Sequence, residues 1–213
     1  MIPADMSAHL SALCEATPVI PVLVIDEAST AAELAQSLVS GGLPLLEVSL
    51  RTDAALAAIS AMAAVPGAQV GAGTVLTAAD AKAAKQAGAT FAVSPGATPS
   101  LIAACIALEL PLLPGAVTPS EAMSLNALGF DLLKFFPAEP YGGIATLKAL
   151  AGPLPRIRFC PTGGITEASA PNYLALPTVP CVGGSWIVPP ALLKDRDWAG
   201  IRANALRAAA LKV

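Results

Sequence analysis

Eight short runs rich in apolar and β-branched residues recur along the chain, at 18–25, 45–50, 68–74, 90–94, 110–115, 131–136, 156–162 and 179–185. Most are continuous rather than alternating, as in PVIPVLVI and LLEVSL. A strand that reads this way is buried on both faces, which is the condition of a parallel sheet covered by helices. Between the runs lie alanine-rich stretches such as STAAELAQSLVSGG (29–42), which opens on a Ser or Thr suited to cap a helix and closes on glycine. The repeating unit is strand then helix. Eight units in 213 residues predict an α/β protein: a single-domain (β/α)8 TIM barrel over 1–213, with an additional N-terminal helix. An open doubly wound sheet is the alternative, but IDEAST (25–30) stands where its G-x-G-x-x-G fingerprint belongs.

GAGT (71–74), SPGAT (94–98) and PGAVT (114–118) each join the end of a run to the start of a helix and read as equivalent corners. In a parallel barrel the C-terminal strand ends carry the chemistry, so polar residues at those ends become the candidates.

Composition narrows the picture. The chain is 55% hydrophobic and only 13% charged, against a usual charged share of roughly 25%. The excess fits alanine-rich helix surfaces or a subunit interface equally well. The longest apolar stretch, 101–117, is broken by Glu109, Pro111 and Pro114, so it does not make the roughly 20-residue span a membrane requires. With no Lys or Arg before Arg51 there is no basic start to a signal peptide. Cys14, Cys105, Cys160 and Cys181 lack C-x-x-C spacing, which suits reduced thiols in a cytoplasmic protein. A net charge of −3 without a basic cluster argues against nucleic acid as a partner.

Of the six lysines, Lys82, Lys85, Lys148, Lys194 and Lys212 fall in alanine-rich or polar helical contexts expected to be solvated. Lys134 lies in LLKFF, on the strand side opposite Leu133 and Phe135. Apolar surroundings disfavour its charged form and would supply the free amine that attacks a carbonyl carbon. A lysine paired with a buried carboxylate, or snorkelling from a strand end, fits the same context. Glu47 in LLEVSL is the one carboxylate inside an apolar strand, and serves either as a proton shuttle or as a structural partner of Lys134. Arg51, four residues on, can fork onto a substrate carboxylate or lie at the surface. Thr74 offers a second donor or a helix cap.

Paired glycines follow the last two runs, in CPTGGI (160–165) and CVGGS (181–185). Barrel enzymes often hold phosphate there, on backbone N–H groups that only glycine lets a ligand approach, with Thr162 and Ser185 adding hydroxyls. Tight turns are the plainer explanation of one such pair, but two pairs at successive strand ends favour phosphate.

LEVSLRT (46–52), GAGTVL (71–76), SPG (94–96), KFFPAE (134–139), RFCPTGGI (158–165) and CVGGSW (181–186) resemble, in order, the motifs of the aldolases of 2-dehydro-3-deoxy-6-phosphogluconate (KDPG) and 4-hydroxy-2-oxoglutarate (KHG). The resemblance spans about Pro18 to Pro189. It implies a homotrimeric class I aldolase, without metal or cofactor, that cleaves KDPG to pyruvate and glyceraldehyde 3-phosphate in the Entner–Doudoroff pathway. It makes Lys134 the Schiff-base lysine and Glu47 the proton shuttle, acting partly through water. Arg51 and Thr74 would hold the pyruvate carboxylate and Thr162 would face the reacting oxygens. Gly163, Gly164 and Gly184, with the Ser185 hydroxyl, would receive the phosphate. Two departures are visible: Ser49 replaces the usual Thr of LEVTLRT, and the first run lacks the arginine some relatives place near the phosphate. Relatives that use the galactonate epimer often carry an apolar residue at the position of Thr162, so threonine favours the gluconate.

Three other functions compete. A class II metal aldolase recruits several histidines, whereas His9 is the only one here. A phosphosugar isomerase would share the glycine corners but has no need of a nucleophilic Lys134. A noncatalytic phosphate-binding protein would have no reason to hold Glu47 and Lys134 in apolar strands.

Overall fold

The computed structural model describes residues 1–211. Its eight strands are β1 (Val19–Leu23), β2 (Leu45–Ser49), β3 (Gln69–Gly73), β4 (Phe91–Val93), β5 (Leu112–Leu113), β6 (Leu132–Phe135), β7 (Arg158–Pro161) and β8 (Val182–Gly184). All pair in parallel, as a six-stranded sheet in the order β5-β4-β3-β2-β1-β8 and a two-stranded sheet β6-β7. Isolated bridges Gly115–Lys134 and Thr162–Gly183 link the two sheets. The order follows the chain, and the sheet curls so that β1 lies beside β8. A doubly wound sheet instead reverses order at a switch point, so that alternative is set aside.

Helices α2 (Ala31–Ser40), α3 (Ala55–Ala63), α4 (Ala78–Gln86), α5 (Pro99–Ala107), α6 (Pro119–Ala127), α7 (Gly143–Ala151) and α8 (Ala170–Leu174) follow the first seven strands in turn. After β8 come α9 (Pro190–Lys194) and α10 (Trp198–Ala209), while α1 (Pro3–Ala16) precedes β1. No helix among the described residues is long and apolar enough to cross a membrane. The run 110–115 yields only a two-residue strand, because Pro111 and Pro114 have no N–H to give the ladder. Their carbonyls serve instead, accepting from Ala92 N at 2.7 Å and Lys134 N at 2.8 Å.

The three similar corners diverge. Thr98 and Thr118 cap α5 and α6 by accepting the Leu101 and Glu121 N–H groups, whereas α4 is capped by Thr77, leaving Thr74 free for another role. The expected Ser or Thr cap of α2 is not made: the Thr30 hydroxyl donates back to the Glu27 carbonyl at 2.9 Å.

Alternation along the strands sorts the side chains into two cores. Leu46, Val48, Leu133, Phe135 and Phe159 face the helices, packing in one cluster with residues such as Leu34, Leu38, Ile59 and Met62. Leu45, Ile20, Phe91, Val93, Leu113, Leu132, Cys160 and Cys181 form a second cluster on the concave face with Leu10 and Cys14 of α1. That helix sits at the N-terminal strand ends. Its Ser7 Oγ accepts the Asp131 and Leu132 N–H groups at 3.0 Å, and its Glu15 pairs with Arg158 at 2.6 Å. All four cysteines are buried and unbridged, and the mutual contacts of Cys181 with Cys14 and Cys160, together with burial, push its thiol up toward the protonated form.

Candidate active site

The concave cluster gives way to polar groups toward the C-terminal strand ends. Glu47 is two residues beyond Leu45 on β2 and Lys134 two beyond Leu132 on β6, so the strand period of two turns both inward. They are 3% and 5% exposed, and Lys134 Nζ donates to Glu47 Oε1 at 3.0 Å across 87 residues of sequence. The Nζ also lies 5.3 Å from the centroid of the Phe136 ring. Neither charge would be tolerated alone at this depth; each compensates the other. By contrast, Lys82, Lys85, Lys148 and Lys194 are exposed, as their contexts predict, and Lys212 lies outside the described residues.

Room for this pair comes from a neighbouring strand. Gly73 on β3 is the register partner of Ser49, and a Cβ there would press on Glu47 Oε1 and stand 2.7 Å from its Cγ. Gly183 does the same for Thr162, since its Cβ would overlap the Thr162 side chain. Thr162, just past β7 and 6% exposed, has the only buried side-chain oxygen among the described residues without a hydrogen-bond partner. A polar atom so placed has a desolvation cost that a ligand would offset.

Arg51 and Thr74 meet through a residue between them. Ser49, the last of β2 and 1% exposed, accepts from Arg51 Nε at 2.9 Å and lies 3.0 Å from Thr74 Oγ1. Arg51 is exposed and in no ion pair among the described residues. Thr74 has φ 60°, a left-handed conformation unusual for a β-branched residue, of the kind that clusters at functional sites.

Gly163 and Gly164 have φ of 102° and 81°, which a side chain would strain. Their N–H groups donate to no acceptor among the described residues. A Cβ on Gly164 would stand 2.6 Å from Glu139 Cγ. That side chain is itself held by the Tyr173 hydroxyl, which donates to Glu139 Oε1 at 2.5 Å; burial and this carboxylate push the phenol above its usual range. Gly184 is overlaid by Trp186, and Ser185 is exposed. Beside Ser185 opens a cavity of about 660 Å³, lined also by Val22, Asp26, Glu27, Lys194 and Arg196. Lys134 and Glu47 do not line it; their buried pairing, rather than cavity size, makes them the candidate centre. Among the described residues no group of three or more His, Cys, Asp or Glu side chains is placed to hold a metal ion.

The structure therefore brings together Glu47 with Lys134 and Arg51 with Thr74, and sets Thr162, Gly163 and Gly164 in one segment following β7. Gly73, Gly183, Ser49, Glu139 and Tyr173 are contributors to which sequence reading assigns no role. All but Tyr173 lie in the motifs that carry the resemblance, in LEVSLRT, GAGTVL, KFFPAE and CVGGSW.

A curled parallel α/β sheet with a buried lysine–carboxylate pair at its strand ends is the arrangement of a lysine-based aldolase, and the comparisons agree. The profile of the KDPG and KHG aldolases matches residues 10–204, so the chain belongs to that family. It is 50% identical over 195 residues to the 2-dehydro-3-deoxy-phosphogluconate aldolase of Zymomonas mobilis, covering 92% of each chain. The crystal structure of the Zymomonas mobilis ZM4 enzyme with 3-phosphoglycerate superposes with a TM-score of 0.92 at 48% identity, covering 97% of each chain. That of the Legionella pneumophila KDPG aldolase, with pyruvate captured as a covalent carbinolamine, has a TM-score of 0.90 at 44% identity, covering 93% of this chain and 97% of the other.

Proposed function

We propose that the chain is a class I aldolase that cleaves KDPG to pyruvate and glyceraldehyde 3-phosphate, the retro-aldol step of the Entner–Doudoroff pathway. The observation that carries this reading is the buried Lys134–Glu47 hydrogen bond of 3.0 Å. The amine must shed a proton before attacking the substrate C2, and Glu47 is already in place to receive it. Loss of water from the carbinolamine, its oxygen protonated by Glu47 directly or through water, leaves an imine. Glu47 then takes the C4 hydroxyl proton as the C3–C4 bond breaks. The bonding electrons pass into the enamine and glyceraldehyde 3-phosphate departs. Protonation at C3 and hydrolysis release pyruvate and restore the lysine.

The remaining roles follow from position. Arg51 and Thr74 grip the pyruvate carboxylate, and the unpartnered Thr162 hydroxyl meets a reacting oxygen; by the family resemblance, a threonine at this position favours the gluconate over the galactonate epimer. Gly163, Gly164, Gly184 and Ser185 receive the phosphate. Lys194, lining the same cavity as Ser185, supplies positive charge that the first strand lacks, whereas Arg196 in that lining is paired with Glu27 at 3.9 Å. KHG is a side substrate by family kinship. No metal or cofactor enters the scheme. The bridges Gly115–Lys134 and Thr162–Gly183 support reading the sheet as a closed (β/α)8 barrel, with α1 an additional N-terminal helix and 1–213 one domain. A homotrimer in the cytoplasm completes the reading, on the strength of the family resemblance.

Incubation with pyruvate and borohydride should fix a reduced pyruvyl group on Lys134, located by peptide mapping. Label on another residue, or none on active enzyme, would remove the central claim and reopen the isomerase alternative.

A further inference from the structure

Ser49 lies between two groups with assigned roles and has none itself. A hydroxyl has one proton to give and two lone pairs to accept with. The Arg51 Nε–H can only donate, so Ser49 Oγ accepts there, at 2.9 Å. In the 3.0 Å contact with Thr74 Oγ1 either hydroxyl can be the donor. A carboxylate accepts only, so a bound 2-oxo acid requires the Thr74 proton, and Thr74 must then accept from Ser49. We propose that Ser49 is a positioning residue for substrate binding: it fixes a one-way chain from Arg51 Nε–H through its own hydroxyl and that of Thr74 to the substrate carboxylate. With Nε committed to Ser49, the two terminal nitrogens of Arg51 are left as the edge that faces the carboxylate. A cation at one end and an anion at the other polarise the intervening hydroxyls in the same sense. Burial to 1% exposure keeps water from replacing the central link, and the left-handed Thr74 backbone aims its hydroxyl at Ser49. The inference rests on the aldolase reading of the site.

The test compares Ser49→Ala and Ser49→Thr with the wild type. Ser49→Ala should raise KM for the 2-oxo acid, and the pyruvate concentration for half-maximal borohydride trapping, by about tenfold, the scale of a lost hydrogen bond to a charged group. Its kcat should stay within about threefold, because Lys134 and Glu47 are untouched. Ser49→Thr, which keeps the hydroxyl, should restore both values. Trapping of acetone, a carbonyl without a carboxylate, should be alike in all three proteins. An equal loss with acetone and pyruvate, or unchanged pyruvate affinity in a folded Ser49→Ala protein, would overturn the inference. If Ser49→Ala does not fold, a weakened pyruvate response in Ser49→Thr as large as its acetone response would do the same. Failure of the wild type to be trapped at Lys134 would count against the aldolase reading itself.

Discussion

Gly73 owes its place to Glu47: a single carbon added to the glycine would stand 2.7 Å from the Glu47 Cγ and closer still to its Oε1. The two residues are on adjacent strands, and the missing side chain of one is the volume occupied by the carboxylate of the other. The Lys134–Glu47 pair is thus supported from β3.

Gly73→Ala should accordingly displace Glu47 from Lys134 while leaving both residues in the chain. Overpacking of this kind costs about 1–3 kcal/mol of stability, and a misplaced catalytic group about 10²-fold in turnover. Steady-state kinetics beside a thermal melt would check it. Normal kcat in a folded variant would show that the carboxylate has room to spare.

Glu47→Gln keeps size and hydrogen-bonding capacity but loses the titrating proton, so kcat should fall by about 10²–10⁴. The variant should lose about 3–5 kcal/mol of stability, because the buried Lys134 is left without its counter-charge, so turnover is read on protein shown to be folded. Near-normal turnover would make Glu47 a structural partner only.

Ser185→Asp puts a carboxylate beside the glycine corners and repels a dianionic phosphate. The kcat/KM for the phosphorylated sugar acid should drop about 10²-fold or more, while KHG, which has no phosphate, loses little and pyruvate trapping at Lys134 persists. Equal losses for both substrates would reduce the paired glycines to ordinary turns.

A further prediction concerns stability and pH. Glu121 closes the cap of α6, its Oε2 accepting from Val117 N, Thr118 N and Thr118 Oγ1 at 2.8–3.0 Å. Burial raises its pKa, but these three hydrogen bonds outweigh it and hold the carboxyl below its ordinary 4.5. Because the folded value is the lower one, the contribution is complete above the unfolded value and fades as pH falls through the folded one. Glu121→Gln should cost about 0.5–1 kcal/mol at neutral pH. Melting of both proteins should converge in acid; a gap that persists there would assign the effect to packing.

Legibility in the sequence tracked how local each signal was. Lys134 and Glu47 stand out because a lone charge inside LLKFF or LLEVSL violates the rule that strands buried on both faces are apolar. Strand order followed from the unbroken strand–helix alternation. The paired glycines were legible as a possible phosphate corner, but not for the close contacts that individual glycines permit. Gly73 and Gly183 are required by side chains on neighbouring strands, Glu47 and Thr162, and nothing within GAGT or VGG announces that demand. Thr74 was ambiguous for a related reason, since three corners share a terminal Thr, and only the hydrogen bonds reveal that it faces Ser49 while Thr77 does the capping. The Tyr173–Glu139 bond likewise joins residues that sequence leaves far apart.

The seating of α1 bears on how the molecule is made. Ser7 takes its hydrogen bonds from Asp131 and Leu132, and Leu10 and Cys14 pack into the concave cluster beside Leu132. On a ribosome this helix emerges well before its docking site is whole, because the site is completed only when β6 has left the exit tunnel. Through that interval its apolar side chains lack part of their cover and are open to chaperones or to other nascent chains. When β6 arrives, one event both shelters the helix and anchors the strand bearing Lys134, so that lysine is secured only as a much earlier part of the chain finds its partner.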